Sequence, residues 1–122
     1  LRMISTTTTE TTFLFDGGKP MKQIINGKKY DTDTAKEIAH YCAPGSVQDF
    51  SYFEETLYRK KTGEYFLYGK GGPASRYSRS CGQNQWEGDQ RIIPFTEYEA
   101  RAWAERCIDA DEYEAIFGEV EE

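Results

Sequence analysis

Short apolar and polar runs and apolar positions at helical spacing take turns along the chain, a pattern that predicts a hairpin, a helix, further strands up to about Phe95 and helices at the end. Lys22 to Ile25 and Lys28 to Tyr30 flank Asn26-Gly27. Asn-Gly supplies the two positive φ angles of a type I′ turn, so a two-residue hairpin is expected. Ala35, Ile38, Ala39 and Cys42 then stand at i, i+3, i+4 and i+7, and Thr34 with Glu37 has the spacing of a capping box. A helix is expected here, ended by Pro44-Gly45.

Past the loop Ala43 to Asp49, Phe53 to Lys60 and Glu64 to Lys70 flank Lys61-Thr62-Gly63, which has the length and the glycine of a hairpin connection. Both alternating sets of Tyr65-Phe66-Leu67-Tyr68 are apolar or aromatic, which predicts a central strand covered on both faces. Gly71-Gly72-Pro73 turns the chain, Ala74 to Cys81 is expected to return as a third strand, and Gly82 to Asp89 reads as an exposed loop around Trp86. Pro94 places the short strand Arg91 to Phe95 at an edge or a strand end. Two helices close the chain. Thr96 with Glu99 and Asp109 with Glu112 have N-cap spacing, Ala100, Trp103, Ala104, Cys107 and Ile108 form one apolar stripe, and Tyr113, Ile116, Phe117 and Val120 form the other, ended by Gly118.

The expected fold class is therefore α+β: an antiparallel β-meander with an N-terminal hairpin, one helix after it, and two C-terminal helices packed on one sheet face. Leu1 to Pro20, rich in Thr and closed by Asp16-Gly17-Gly18-Lys19-Pro20, reads as an N-terminal extension or tag-like arm, with a native start expected at Met21 and Met3 as the competing start. Residues 21–122 read as a single α+β domain. With 122 residues, 38% of them hydrophobic and 15% aromatic, the chain is long enough for one packed core and too apolar for wholesale disorder. It holds neither a run near the ~18 apolar residues of a membrane span nor a secretory signal pattern, so a soluble, cytoplasmic protein without membrane contact is expected.

Charge divides the chain. Leu1 to Trp86 carries 12 Lys plus Arg against 9 acids, net +3, whereas Glu87 to Glu122 carries 3 Arg against 12 acids, net −9. The acidic end can simply solvate two helices, or it can offer a face to a basic partner through Asp109, Asp111, Glu112, Glu114 and Glu119. In the middle of the chain Arg59, Lys60, Lys70, Arg76 and Arg79 interleave with Tyr68, Tyr77 and Trp86, a combination suited to nucleotides or single-stranded nucleic acid and equally to the outer face of a half-buried sheet.

Little points to catalysis. Three widely spaced cysteines, Cys42, Cys81 and Cys107, suit reduced thiols, two of them on core stripes. There is no C-x-x-C pair, and on a helix His40 and Cys42 point different ways, so no metal and no cofactor are assigned. His40, the only histidine, is explained by a helix C-terminus. Glu54 and Glu55 leave a strand on opposite faces and cannot act together. Gly69 to Ala74 matches a dinucleotide fingerprint loosely, but no helix follows to receive a pyrophosphate, and a glycine-rich turn is the plainer reading. The catalytic set is empty and a non-enzyme is expected.

The strings Met21-Lys22-Gln23-Ile24-Ile25-Asn26-Gly27-Lys28-Lys29-Tyr30-Asp31-Thr32, Glu55-Thr56-Leu57-Tyr58-Arg59, Tyr65-Phe66-Leu67-Tyr68-Gly69-Lys70-Gly71-Gly72 and Ile92-Ile93-Pro94 resemble a family of small uncharacterised proteins of phages, conjugative elements and genomes of gut Firmicutes. The likeness spans Met21 to Glu122. The family has no settled catalytic residue, so no site is carried across. What the resemblance implies is a mobile-element setting and with it anti-defence roles, anti-CRISPR inhibitors included. The expectation is a non-enzymatic binding protein that engages a host protein or nucleoprotein complex through the acidic surface. The alternative is nucleotide or single-stranded nucleic-acid binding through the basic, aromatic meander.

Overall fold

The computed structural model describes residues 21–44 and 50–122. The expected arm over 1–20, and residues 45–49 of the expected loop, lie outside the described residues. The fold is α+β. The hairpin forms as its turn chemistry dictates: β1 (Lys22–Ile25) pairs with β2 (Lys28–Asp31), with Asn26 at φ 52° and Gly27 at φ 77°.

The first correction follows at once. Lys36–Cys42 is not a helix but a strand, β3, paired antiparallel with β4 (Phe53–Arg59). The register shifts between Glu37 and Ala39, leaving Ile38 as the extra residue of a bulge. The bulge lets Ile38 and Ala39 both contribute to the same core cluster, and this apolar doublet imitates the i+3, i+4 spacing of a helix. In seven residues containing Ile and Tyr, the open edge of β4 supplies ladder bonds that outweigh a weak helical preference.

Tyr65–Gly71 forms β5, and Asp89–Phe95 forms β8, giving a four-stranded antiparallel sheet in the order β3-β4-β5-β8. β5 is interior, as its two apolar faces require, and Pro94 lies on the edge strand. Between β5 and β8 the expected third strand is shortened. Residues 72–78 run in tight turns, with Ser75 N–H donating to the Gly72 carbonyl (3.0 Å) and Ser78 N–H to the Ser75 carbonyl (3.1 Å). Only Arg79–Gly82 is extended, as β6. It pairs with β7 (Gln85–Glu87) across Asn84 at φ 55°, so the expected loop around Trp86 is a second small hairpin. The Ser75 hydroxyl explains the turn: it donates to the Gly72 carbonyl (2.7 Å) and accepts from Tyr77 N–H (3.1 Å), aiming Tyr77 inward.

The two helices are α1 (Glu97–Cys107) and α2 (Ala110–Phe117). Ala39, Leu57, Tyr65, Leu67, Ala100, Trp103 and Ala104 form the core between them and the sheet, with Tyr113, Ile116 and Phe117 at its margin. On the opposite sheet face Tyr30 of the N-terminal hairpin packs against Phe66 and Ile92. Among the described residues no helix is long and apolar enough to cross a membrane. α1 starts in a full capping box: Thr96 Oγ1 accepts from Glu99 N–H (3.1 Å) and Glu99 Oε1 accepts from Thr96 N–H (2.8 Å). Thr96→Ala is expected to cost about 1 kcal/mol. Urea denaturation checks this, as a lower midpoint at an unchanged slope.

Candidate functional site

The five carboxylates predicted to form an acidic face divide into two groups. Asp109 caps α2, its Oδ1 accepting from Glu112 N–H at 2.8 Å, and Glu114 folds back to accept from Val120 N–H at 2.9 Å. Asp111, Glu112 and Glu119 are exposed. Helical spacing puts Asp111 opposite the inward stripe of Tyr113, Ile116 and Phe117, with Glu112 on the flank. On α1, Glu97 is paired with Arg101 at 2.8 Å.

The eight residues of the basic, aromatic reading go to four places. Arg59 and Lys60 lie at the β4–β5 turn, where Arg59 sits over the Tyr65 ring (5.3 Å) and Lys60 over Tyr30 (3.7 Å). Lys60 also bonds Glu64 (3.1 Å), as does Lys28 (2.5 Å), and hydrogen bonds from Lys28 and then Lys60 hold the Glu64 carboxyl down at about 2. Tyr68 and Lys70 line a depression on the hairpin-side face. Arg76 and Tyr77 meet Glu55 on the helix-side face, and Tyr77, only 2% exposed, has no ring face for a base to stack on. Arg79 pairs with Glu87 and lies 3.8 Å from Asp89, on the small hairpin that carries Trp86, 58% exposed. What sequence reading missed is a groove of about 570 Å³ at the first of these places, lined by Lys28, Lys29, Lys60 and Lys61 with Glu64 among them. The turns at Asn26-Gly27 and Lys61-Thr62-Gly63, far apart in sequence, bring it together, and each pair of lysines alone looks like an ordinary solvated turn.

Glu54 and Glu55 do point to opposite faces. Glu55, 2% exposed, accepts three hydrogen bonds: from Tyr77 Oη (2.5 Å) and Arg76 Nη1 (3.2 Å) on Oε2, and from Trp103 Nε1 (2.8 Å) on Oε1. Burial, and then the Glu55 carboxylate, push the Tyr77 phenol upward, so it stays a donor. Burial first and Glu55 second also push the Cys107 thiol up, consistent with an unreactive, half-buried cysteine. The chemistry here is structural: a carboxylate ties β4, the 72–78 turns and α1 together.

Glu54 faces the other way, into a different constellation, and the strand assignment of β3 creates it. On a strand His40 and Cys42, two apart, share a face, and the register sets Cys42 opposite Glu54 and His40 opposite Thr56. This corrects both the divergent directions expected on a helix and the expected burial of Cys42, which is exposed. It also removes the helix C-terminus invoked for His40. His40 Nε2 lies 3.2 Å from Cys42 Sγ and 3.5 Å from Glu54 Oε1, while Nδ1 lies 2.8 Å from Thr56 Oγ1. Tyr52 Oη donates to Glu54 Oε2 at 3.1 Å. Burial, then hydrogen bonding to Cys42 and Glu54, push the Tyr52 phenol up and keep its proton in place. An open depression of about 400 Å³ begins here, lined by Glu37, His40, Glu54, Thr56, Tyr58, Tyr68 and Lys70. The signal in the sequence was the alternation Ala39/Tyr41 against His40/Cys42, masked by the bulged Ile38.

Comparison of the chain with protein-family models, with curated proteins and with solved structures finds no match.

Proposed function

We propose that this chain is a non-enzymatic binding protein whose C-terminal acidic face engages a basic surface of a macromolecular partner in the cytoplasm. One observation carries the reading: the acidic excess of the sequence is gathered in its last segment. Lys28, Lys60, Arg76, Arg79 and Arg101 all pair with carboxylates of the same chain. No Lys or Arg follows Arg106, and Asp111, Glu112 and Glu119 stand exposed on that last segment. Uncompensated charge of one sign steers encounter with the opposite sign and is what a basic, nucleic-acid-binding groove selects. Asp109 and Glu114, held by backbone donors, add to the field from fixed positions. Under the resemblance to phage and mobile-element proteins, the partner is a host-defence protein or nucleoprotein complex, and the action is competition for its nucleic-acid groove.

The test is capture of host proteins from a Firmicutes lysate by the tagged chain at low and at physiological salt. The triple reversal Asp111→Lys, Glu112→Lys, Glu119→Lys is expected to weaken capture about tenfold or more, and added salt to weaken the wild-type interaction in parallel. Capture indifferent to both removes the proposal. The lysine-lined groove is the specific observation favouring a polyanion instead. That second reading predicts a gel shift with single-stranded DNA or RNA that falls steeply with salt and disappears when Lys28, Lys29, Lys60 and Lys61 are replaced by glutamine.

A further inference from the structure

We propose that His40 Nε2, Cys42 Sγ and Glu54 Oε1 form a binding site for a divalent transition-metal ion of the zinc class, on the outer face of β3 and β4, with the fourth coordination position open.

The separations fit. Tetrahedral zinc holds nitrogen at about 2.0–2.1 Å, sulfur at about 2.3 Å and carboxylate oxygen at about 2.0–2.2 Å, which puts ligand atoms about 3.4–3.6 Å from one another. Here Nε2 stands 3.2 Å from Sγ and 3.5 Å from Oε1, and all three ligand atoms lie within 4.8 Å of one another. Small side-chain rotations close the remaining gap. The backbone already holds the set, because a paired ladder fixes Cys42 opposite Glu54 and His40 opposite Thr56.

The surrounding contacts aim the right atoms inward. Thr56 Oγ1 at 2.8 Å occupies His40 Nδ1, the outer hydrogen bond that fixes a metal-bound imidazole, and so leaves Nε2 for the ion. Tyr52 occupies Glu54 Oε2 and leaves Oε1. Without an ion, Nε2 faces both the Cys42 sulfur and the Glu54 carboxylate. A cation satisfies all three at once. Thiolate and carboxylate together supply two negative charges against a divalent ion, and the Cys42 proton leaves to solvent on binding. The nitrogen, sulfur and oxygen donors form a borderline-soft set suited to zinc or cobalt rather than to magnesium or calcium. Glu37 and Lys70 line the same depression with opposite charges.

The experiment is a titration of the full, reduced chain with Co²⁺, followed by displacement with Zn²⁺. One cobalt per chain is expected, with thiolate-to-cobalt charge-transfer absorption and the visible bands of a tetrahedral ion. His40→Ala and Glu54→Gln should each weaken binding about tenfold or more, Thr56→Val about 10–100-fold, and Cys42→Ser should abolish the charge-transfer band. His40 and Cys42 are exposed and Glu54 is half-buried, whereas Thr56 is buried, and circular dichroism confirms that each variant folds. In a second measurement, Zn²⁺ should protect Cys42, and not Cys81, from alkylation by iodoacetamide. Absence of the band in the wild type, its survival in Cys42→Ser, or its loss in Cys81→Ser overturns the site. So does unchanged alkylation of Cys42 under saturating Zn²⁺.

Discussion

Glu55→Ala is expected to lower the free energy of unfolding by about 3–5 kcal/mol, because it leaves two buried donors without an acceptor and opens a cavity beside them. Glu55 is 2% exposed and is the common acceptor for Arg76, Tyr77 and Trp103. The loss is not shared equally. Arg76, whose side chain is 59% exposed, recovers water on losing its partner. Tyr77 and Trp103, at 2% and 1% exposure, cannot, and each buried donor left unpaired costs about 1–3 kcal/mol. Glu55→Gln keeps one carbonyl acceptor and the side-chain volume, so it should cost clearly less than alanine. Urea denaturation of the two variants measures both values. A loss under about 1 kcal/mol for Glu55→Ala would show that the network is not what joins the turns, the sheet and α1.

Gly69→Ala, one methyl group on a central strand, is expected to cost about 3 kcal/mol. Gly69 lies directly across from Glu55 in the β4–β5 ladder, and the Tyr77 ring covers it. A Cβ there would stand 1.9 Å from Tyr77 Cζ and 2.1 Å from its hydroxyl oxygen. Neither atom can yield cheaply, because the ring is buried and its hydroxyl is bonded to Glu55. Alanine therefore evicts Tyr77 and breaks the same network from another side. The second half of the prediction isolates the cause: in a Tyr77→Ala background, Gly69→Ala should be nearly neutral, so the coupling energy between the two positions is close to the whole cost, about 3 kcal/mol. Equal costs in both backgrounds would place the clash elsewhere.

These two residues show where sequence reading stops. Glu55 read as one of two adjacent strand carboxylates that leave opposite faces and do nothing together, and Gly69 as part of a turn-forming glycine string. Their roles depend on a tyrosine 22 and 8 residues further on, respectively, and on a tryptophan from α1. The basic, aromatic set shows the reverse failure. Arg59, Tyr68, Arg76 and Arg79 follow one another closely in sequence, and the fold sends them to different faces and hairpins.

The sequence by itself determined the elements whose energetics are local. Asn26-Gly27, Lys61-Thr62-Gly63, Thr96 with Glu99 and Asp109 with Glu112 each act within about four residues, where the donor, the acceptor and the dihedral preference all belong to one short stretch. The two-faced apolar run Tyr65 to Tyr68 likewise required an interior strand. Only tertiary structure decided Lys36–Cys42, because helix and strand preferences in seven mixed residues nearly cancel and the free edge of β4 tips the balance. With that one decision came the shared face of His40 and Cys42, and with the ladder register came Glu54 beside them. A constellation of this kind is a property of pairing between strands, and nothing within either strand contains it.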